Sequence, residues 1–288
     1  MLALKHILFP VDFSERCEKA APFVDAMAKR FGAKLTLLST IQPLVYGGLI
    51  EPSGPMTLQP DLLIAGLESR LNRAFPERFQ GVAVERVVQL GDPALCVAEF
   101  VKNHSVDLVM LPTHGYGPFR RLLLGSVAAK ILHDVKRPVW TDAHLEDPDV
   151  ATHVEIKHVL CAVDRSADTA RVMLWANDFA KAAGATLSLF HAVPGVEAWP
   201  DRQFDREFEE ELSKQAHTAI ETIQRENAVD APLVVKAGDV GQLIHEEVRS
   251  QGANLVVIGR HSDHGAFGRL LAHAYDIIRQ AHCPVISV

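Results

Sequence analysis

Apolar and polar positions along this chain alternate between strand-like and helix-like spacing, and that alternation predicts its elements. His6–Val11 is a short β-rich run. Ser14 then opens a stretch of helical spacing that closes at Phe31-Gly32, with Ser and Gly in the usual cap positions. Lys34–Thr40 predicts a strand, Asp61–Phe75 a helix, Val82–Gln89 a strand, Pro93–Asn103 a helix and Val106–Leu111 a strand. Ser126–His133 predicts a helix and Pro138–Thr141 a last strand. Residues 41–60 hold four prolines and three glycines, so an irregular loop is expected there, of a length often used for lids.

The same order then returns. Strand 158–163, helix 166–183, strand 185–191 and a loop through Pro200 are followed by a charged helix across Asp201–Asn227. Strand 232–236, helix 240–250, strand 254–258, a helix to about His282 and strand Pro284–Val288 complete it. The acidic run Glu207–Glu211 reads as a solvated helix face. Identities support a duplication: Lys5-His6-Ile-Leu-Phe-Pro-Val-Asp12 matches Lys157-His158-Val-Leu-Cys-Ala-Val-Asp164, and Gly91-Asp92 matches Gly238-Asp239. Strands separated by helices imply parallel sheets covered on both faces, because parallel neighbours need crossover connections. Two domains are therefore expected, 1–143 and 156–288, joined by a polar linker, 144–155.

Composition narrows the class. Of 288 residues, 48% are hydrophobic and 23% charged, which suits a globular chain with a sizeable core. The formal charge of −7 argues against a general binder of nucleic acid or anionic membrane. No apolar run approaches the roughly 18 residues that span a bilayer. The four cysteines form no CxxC pair, so a reducing, cytoplasmic setting is expected, with Cys17 and Cys96 read as packing residues.

The candidate chemistry gathers at strand ends. In an open parallel sheet, ligands sit beyond the strand C-termini where strand order reverses. Asp12 ends the first strand, and after Val106–Leu111 comes a loop with Gly115, then Gly125-Ser126 at a helix start. The first N–H groups of a helix have no partner inside it, and a glycine lets a ligand approach backbone closely, so this is an anion-binding geometry. Asp12 either accepts hydrogen bonds from a ligand's hydroxyls or braces the turn before Ser14. The residues alone leave both readings open. No GxxxxGK[ST] loop, early GxGxxG or GxSxG elbow is present.

These residues resemble the universal stress proteins. The carriers are a strand ending Val11-Asp12, the spacing Pro112-Thr-His114-Gly115, nine residues, then Gly125-Ser126, and the endings Arg137-Pro138-Val139 and Cys283-Pro284-Val285. The likeness covers nearly the whole chain, twice. It implies an α/β fold of two tandem Rossmann-like domains, each an open five-stranded parallel sheet of order 3-2-1-4-5 with helices on both faces. It also implies a stress-response protein that binds ATP, ADP or AMP, with Mg²⁺ as an optional companion. No general base or metal-binding carboxylate pair stands beside the loop in the sequence, so no enzyme is expected beyond weak ATP hydrolysis. Carried over by position, the site falls on Pro10, Val11 and Asp12, with Ile41 offering backbone to adenine. His114, Gly115, Gly125, Ser126 and Val127 would face the phosphates. Pro112 departs from the family's glycine and removes a donor there. One lost hydrogen bond weakens binding by about 1 kcal/mol, so binding is expected to be weakened, not abolished.

The second copy keeps Gly259 but has Ser262 for the next glycine and Ala272-His273 for Gly-Ser. Alanine is a poor N-cap, so this half is expected to be mainly structural. Its loop carries Arg260, His261, His264, Arg269 and His273. These offer a second anion or a metal a partner, although solvated loop side chains are the simpler reading. No metal site and no catalytic residue is assigned. The family's pairing through the last strand implies an internal pseudo-dimer, with a homodimer of the whole chain as an extension. The competing reading is a nucleotide-free signalling or scaffold protein whose pocket Pro112 has closed.

Overall fold

The computed structural model describes residues 2–42, 60–75, 77–112, 124–142, 155–195, 205–260 and 269–288. The expected lid within 41–60 falls outside them except at its ends. So do the 144–155 linker up to residue 154, His114, Gly115 and the loop from His261 to Gly268.

The first repeat builds β1 (His6–Pro10), α1 (Glu15–Phe31), β2 (Lys34–Ile41), α2 (Pro60–Arg73), β3 (Val84–Leu90), α3 (Pro93–Asn103), β4 (Leu108–Pro112) and α4 (Ser126–Asp134). The order across the sheet is β3-β2-β1-β4, with every pair parallel. β1→β2→β3 steps outward, and β3→β4 returns past β1. Right-handed crossovers therefore place α1 and α2 on one face, α3 and α4 on the other. The strands are buried on both sides. Ile7, Leu8, Phe9, Leu35, Leu37, Leu108 and Val109 are fully inaccessible, which explains why β1 and β4 read as continuous apolar runs.

The second repeat builds β6 (His158–Ala162), α5 (Thr169–Ala183), β7 (Thr186–Val193), α6 (Asp205–Glu226), β8 (Leu233–Ala237), α7 (Val240–Gln251), β9 (Leu255–Ile258), α8 (Arg269–Gln280) and β10 (Val285–Ser287). Its sheet runs β8-β7-β6-β9-β10, all parallel, which is the expected 3-2-1-4-5 order. β5 (Val139–Asp142), the last strand of the first repeat, clusters with this unit and pairs antiparallel with β10. The pairing matches Val285 with Thr141 and Ser287 with Val139, and the Thr141 hydroxyl donates to the Val285 carbonyl at 3.1 Å.

Local chemistry explains the caps. The Ser14 side chain accepts from the Cys17 N–H, and Gly32 closes α1 in the left-handed conformation, φ 58°. Asp92 caps α3 through Ala94 and Leu95, and Asp239 caps α7 through Gln242. α5 starts three residues later than the pattern predicts. The Ser166 hydroxyl accepts from Asp168 N–H and its carbonyl from Thr169 N–H, so Ser166 closes a turn rather than opening the helix. Glu207, Glu210 and Glu211 on α6 are exposed, as expected of a solvated face. Among the described residues no helix is long and apolar enough to cross a membrane.

Candidate functional site

β1 pairs with β2 on one side and β4 on the other, so the crevice between β1 and β4 is the point where strand order reverses. The register sets Leu8 beside Val109, and its continuation brings Val11 level with Pro112. Pro10, Val11, Asp12 and Pro112 thus leave the sheet at one edge. Ile41 ends β2 at the same edge.

The chain after β1 is held tightly. The Val11 N–H donates to the Leu38 carbonyl at 2.8 Å, and the Ser39 hydroxyl donates to the Val11 carbonyl at 2.9 Å. With both backbone groups engaged and its side chain buried, Val11 forms wall rather than polar contact. Asp12 Oδ1 accepts the Ser14 N–H at 2.9 Å, across Phe13 in the left-handed region, φ 59°. A non-glycine residue there is uncommon and marks a conformation imposed by its surroundings. Bracing the turn does not exclude the ligand reading of Asp12. One oxygen braces the turn, and the exposed carboxylate presents the other. Arg70 of α2 lies 4.0 Å over the Phe13 ring, fixing the turn from outside.

The second wall is the start of α4. Gly125 is its N-cap in an extended conformation, and no side chain caps it. The Ala129 N–H is the first to bond inside the helix, to the Gly125 carbonyl at 2.8 Å. The N–H groups of Ser126, Val127 and Ala128 precede that bond and face the helix end, where the dipole favours an anion. Ser126 and Val127 are exposed, so the end is open to solvent. Lys130, on the next turn, lies 3.5 Å from the Asp92 carboxylate that caps α3, which draws the starts of both helices together. Ile41 keeps only part of its capacity, because its carbonyl accepts from the Gly91 N–H at 2.9 Å.

The four cysteines are buried and free. Burial pushes the Cys17 thiol up to about 12, and its Sγ lies 3.8 Å from the Pro10 carbonyl, so it packs beneath the turn and has no thiolate chemistry.

The second repeat copies this turn with different chemistry. Asp164 Oδ1 accepts the Ser166 N–H at 3.0 Å and the Thr169 hydroxyl at 3.4 Å, across Arg165 at φ 61°. The Val163 carbonyl, matching that of Val11, is held by His191 Nδ1 at 2.7 Å where Ser39 serves the first repeat. Sequence reading missed both Ser39 and His191. The repeat offset was the available signal, since it places a polar residue near the end of β2 and of β7. Arg260, read as a solvated loop side chain or an anion's partner, is buried, and its guanidinium is shifted down to about 10 by burial and by Arg171. Among the described residues, no three His, Cys, Asp or Glu side chains gather as a metal site.

The model of the universal stress protein family matches residues 3–141 and again 155–288. The chain belongs to the universal stress protein family. It carries the family's domain twice, whereas the curated relatives match about half its length. A universal stress protein of Methanocaldococcus jannaschii is 28% identical over 137 residues, 47% of this chain and 79% of that protein. One of Staphylococcus haemolyticus, carried as putative, is 31% identical over 163 residues, 53% of this chain and 95% of that protein. Among solved structures, a universal stress protein from Archaeoglobus fulgidus superposes with a TM-score of 0.69 at 21% identity, covering 98% of this chain and 95% of the other. A functionally unknown protein from Pseudomonas aeruginosa gives 0.64 at 19%, covering 99% and 92%. These two likenesses concern the fold. In this tandem universal stress protein, the turn after the first strand and the open helix start lie at one sheet edge of the first repeat.

Proposed function

We propose that the first repeat binds ATP or a related adenine nucleotide, ADP or AMP, and that the second repeat is its mainly structural partner in a stress-response protein. The observation that carries this is the start of α4, with free N–H groups and no side-chain cap, at the same sheet edge as the exposed Asp12 carboxylate. Anion donors and a hydroxyl acceptor are the two halves of a site for a phosphorylated ribose. The walls contributed by Pro10, Val11 and Ile41 suit a base, and family membership supports the same choice. Pro112 lies level with Val11 and offers no N–H, so affinity is set below that of a site with glycine there. Mg²⁺, where present, accompanies the phosphates. The reading is of binding without turnover.

Pro112 also favours the second reading, a nucleotide-free scaffold acting through protein contacts. Mass spectrometry of the denatured, purified protein separates the two. Adenine nucleotide released on denaturation supports the first. Its absence, together with no calorimetric response to millimolar ATP, selects the scaffold.

A further inference from the structure

Two histidines meet where α8 ends and the chain turns toward β10. His245 comes from the middle of α7 and is half-buried, while His282 follows α8 and is exposed. Their Nε2 atoms lie 3.2 Å apart, whereas the ring centroids are 4.1 Å apart and the ring planes are tilted by 54°. The nitrogens are thus nearer than the rings, so the two Nε2 edges converge. We propose that His245 and His282 form a binding site for a divalent transition-metal ion of the zinc type, held by both Nε2 atoms with water completing its shell.

Three observations carry this assignment. The first is the tautomer of His245. Its Nδ1 lies 3.0 Å from the Gln280 carbonyl, which only accepts, so Nδ1 bears a proton and the neutral ring presents a lone pair at Nε2. A carbonyl on the far nitrogen is the usual support of a metal-bound imidazole, because it fixes the ring and raises its basicity. The second is distance. Zinc–imidazole bonds are about 2.0–2.1 Å long, so nitrogens 3.2 Å apart subtend roughly 100° at a shared ion, close to tetrahedral. The His282 ring is exposed, and rotation of its side chain aims its Nε2 at the same point.

The third is that the scaffold does not require the pair. Aligning Gly238-Asp239 on Gly91-Asp92 sets His245 against Ala98, and aligning Cys283-Pro284 on Arg137-Pro138 sets His282 against Lys136. The first repeat thus builds the same helix and the same strand entry without either histidine. The surroundings suit a cation. The carbonyl end of α8 carries the negative end of its dipole, and Arg279 on that last turn is engaged by Asp276 at 2.8 Å. Imidazole nitrogen selects Zn²⁺, Cu²⁺ or Ni²⁺ over Mg²⁺ and Ca²⁺, which take oxygen ligands. Two protein ligands hold an ion more loosely than the four of a structural zinc site, so this one exchanges with solution.

Calorimetry of the metal-stripped full chain with Zn²⁺ alone tests the site. The native chain is expected to bind Zn²⁺ at submillimolar concentration, without competition from Mg²⁺, and to show shifted Nε2 signals for His245 and His282 in NMR spectra of the ring nitrogens. His245→Gln and His282→Gln each leave a single imidazole and should weaken this binding at least tenfold, because the second ligand no longer stands beside the first. Either variant decides the matter if the other does not fold. The double variant His261→Gln/His264→Gln removes loop histidines and should leave the binding unchanged. Gly125→Val should do the same, which keeps the result separate from nucleotide binding in the first repeat. No response to Zn²⁺, native affinity in a folded His245 or His282 variant, loss in either control, or equal competition by Mg²⁺ would each overturn the proposal. So would a lower melting temperature for His282→Gln with an unchanged Zn²⁺ titration, the mark of a hydrogen bond between the rings and nothing more.

Discussion

Asp12 Oδ1 receives the Ser14 amide at 2.9 Å while the carboxylate stays exposed, so bracing the turn leaves Oδ2 for the ligand role proposed above. This makes the two roles separable by substitution. Asp12→Asn keeps an oxygen for the Ser14 N–H and removes the charge. It should leave the melting temperature nearly unchanged and weaken adenine nucleotide binding about ten- to a hundredfold, the range expected for losing a hydrogen bond to a charged group. Asp12→Ala should lose both, and a variant pair with equal affinities would contradict the division. The sequence left Asp12 undecided because a carboxylate suits either job, and only geometry shows which oxygen braces the turn. Phe13 was illegible for a related reason: nothing in its side chain announces a positive φ, which the bonds of Val11 before it and of the Ser14 N–H after it impose.

β1 is tied to its neighbours by a polar network at the opposite edge of the sheet. His6 Nε2 lies 2.8 Å from the Thr36 hydroxyl on β2, which in turn donates to Glu85 of β3, while Lys34 pairs with Glu85 at 2.6 Å. Burial, and then the Lys34 charge, hold His6 below its ordinary value; a bond donated to the Ser105 backbone carbonyl and the carboxylates of Glu85 and Asp107 oppose them. A histidine depressed in the folded state contributes stability that is present above the unfolded value near 6.5 and is lost as pH falls through the folded one. Denaturant melts between pH 8 and pH 5 should therefore show a steeper loss below about pH 6.5 for the native protein than for His6→Gln. Parallel slopes would contradict this. Most elements were legible because buried parallel strands are continuous apolar runs and Ser14, Gly32, Asp92 and Asp239 are strong caps. The start of α5 was not, because Ser166 has the chemistry of both a cap and a turn. The cavity at the C-terminal edge of the second repeat's sheet was not either: Ile244 and Ile277, which line it, lie far apart in the chain outside the repeated motifs, and their meeting is a product of packing alone.

The duplication was the most legible feature of all, and it sets how the repeats end. β5 covers the edge of β10 through an antiparallel pair, reinforced by Thr141 and by the Ser287 hydroxyl on the Val139 carbonyl at 3.4 Å. An uncovered edge strand invites pairing with another chain. A fragment of residues 156–288 should therefore self-associate in light scattering more strongly than one of residues 138–288, and identical behaviour would contradict the role given to β5. The division of labour proposed for the repeats rests on Gly125-Ser126 in one and Ala272-His273 in the other. Calorimetric titration with ATP of the native chain, Gly125→Val and Ala272→Val tests it most directly. The account predicts heat of binding for the native chain and Ala272→Val, and none for Gly125→Val. Equal loss in both variants, or no binding by the native chain, would contradict it.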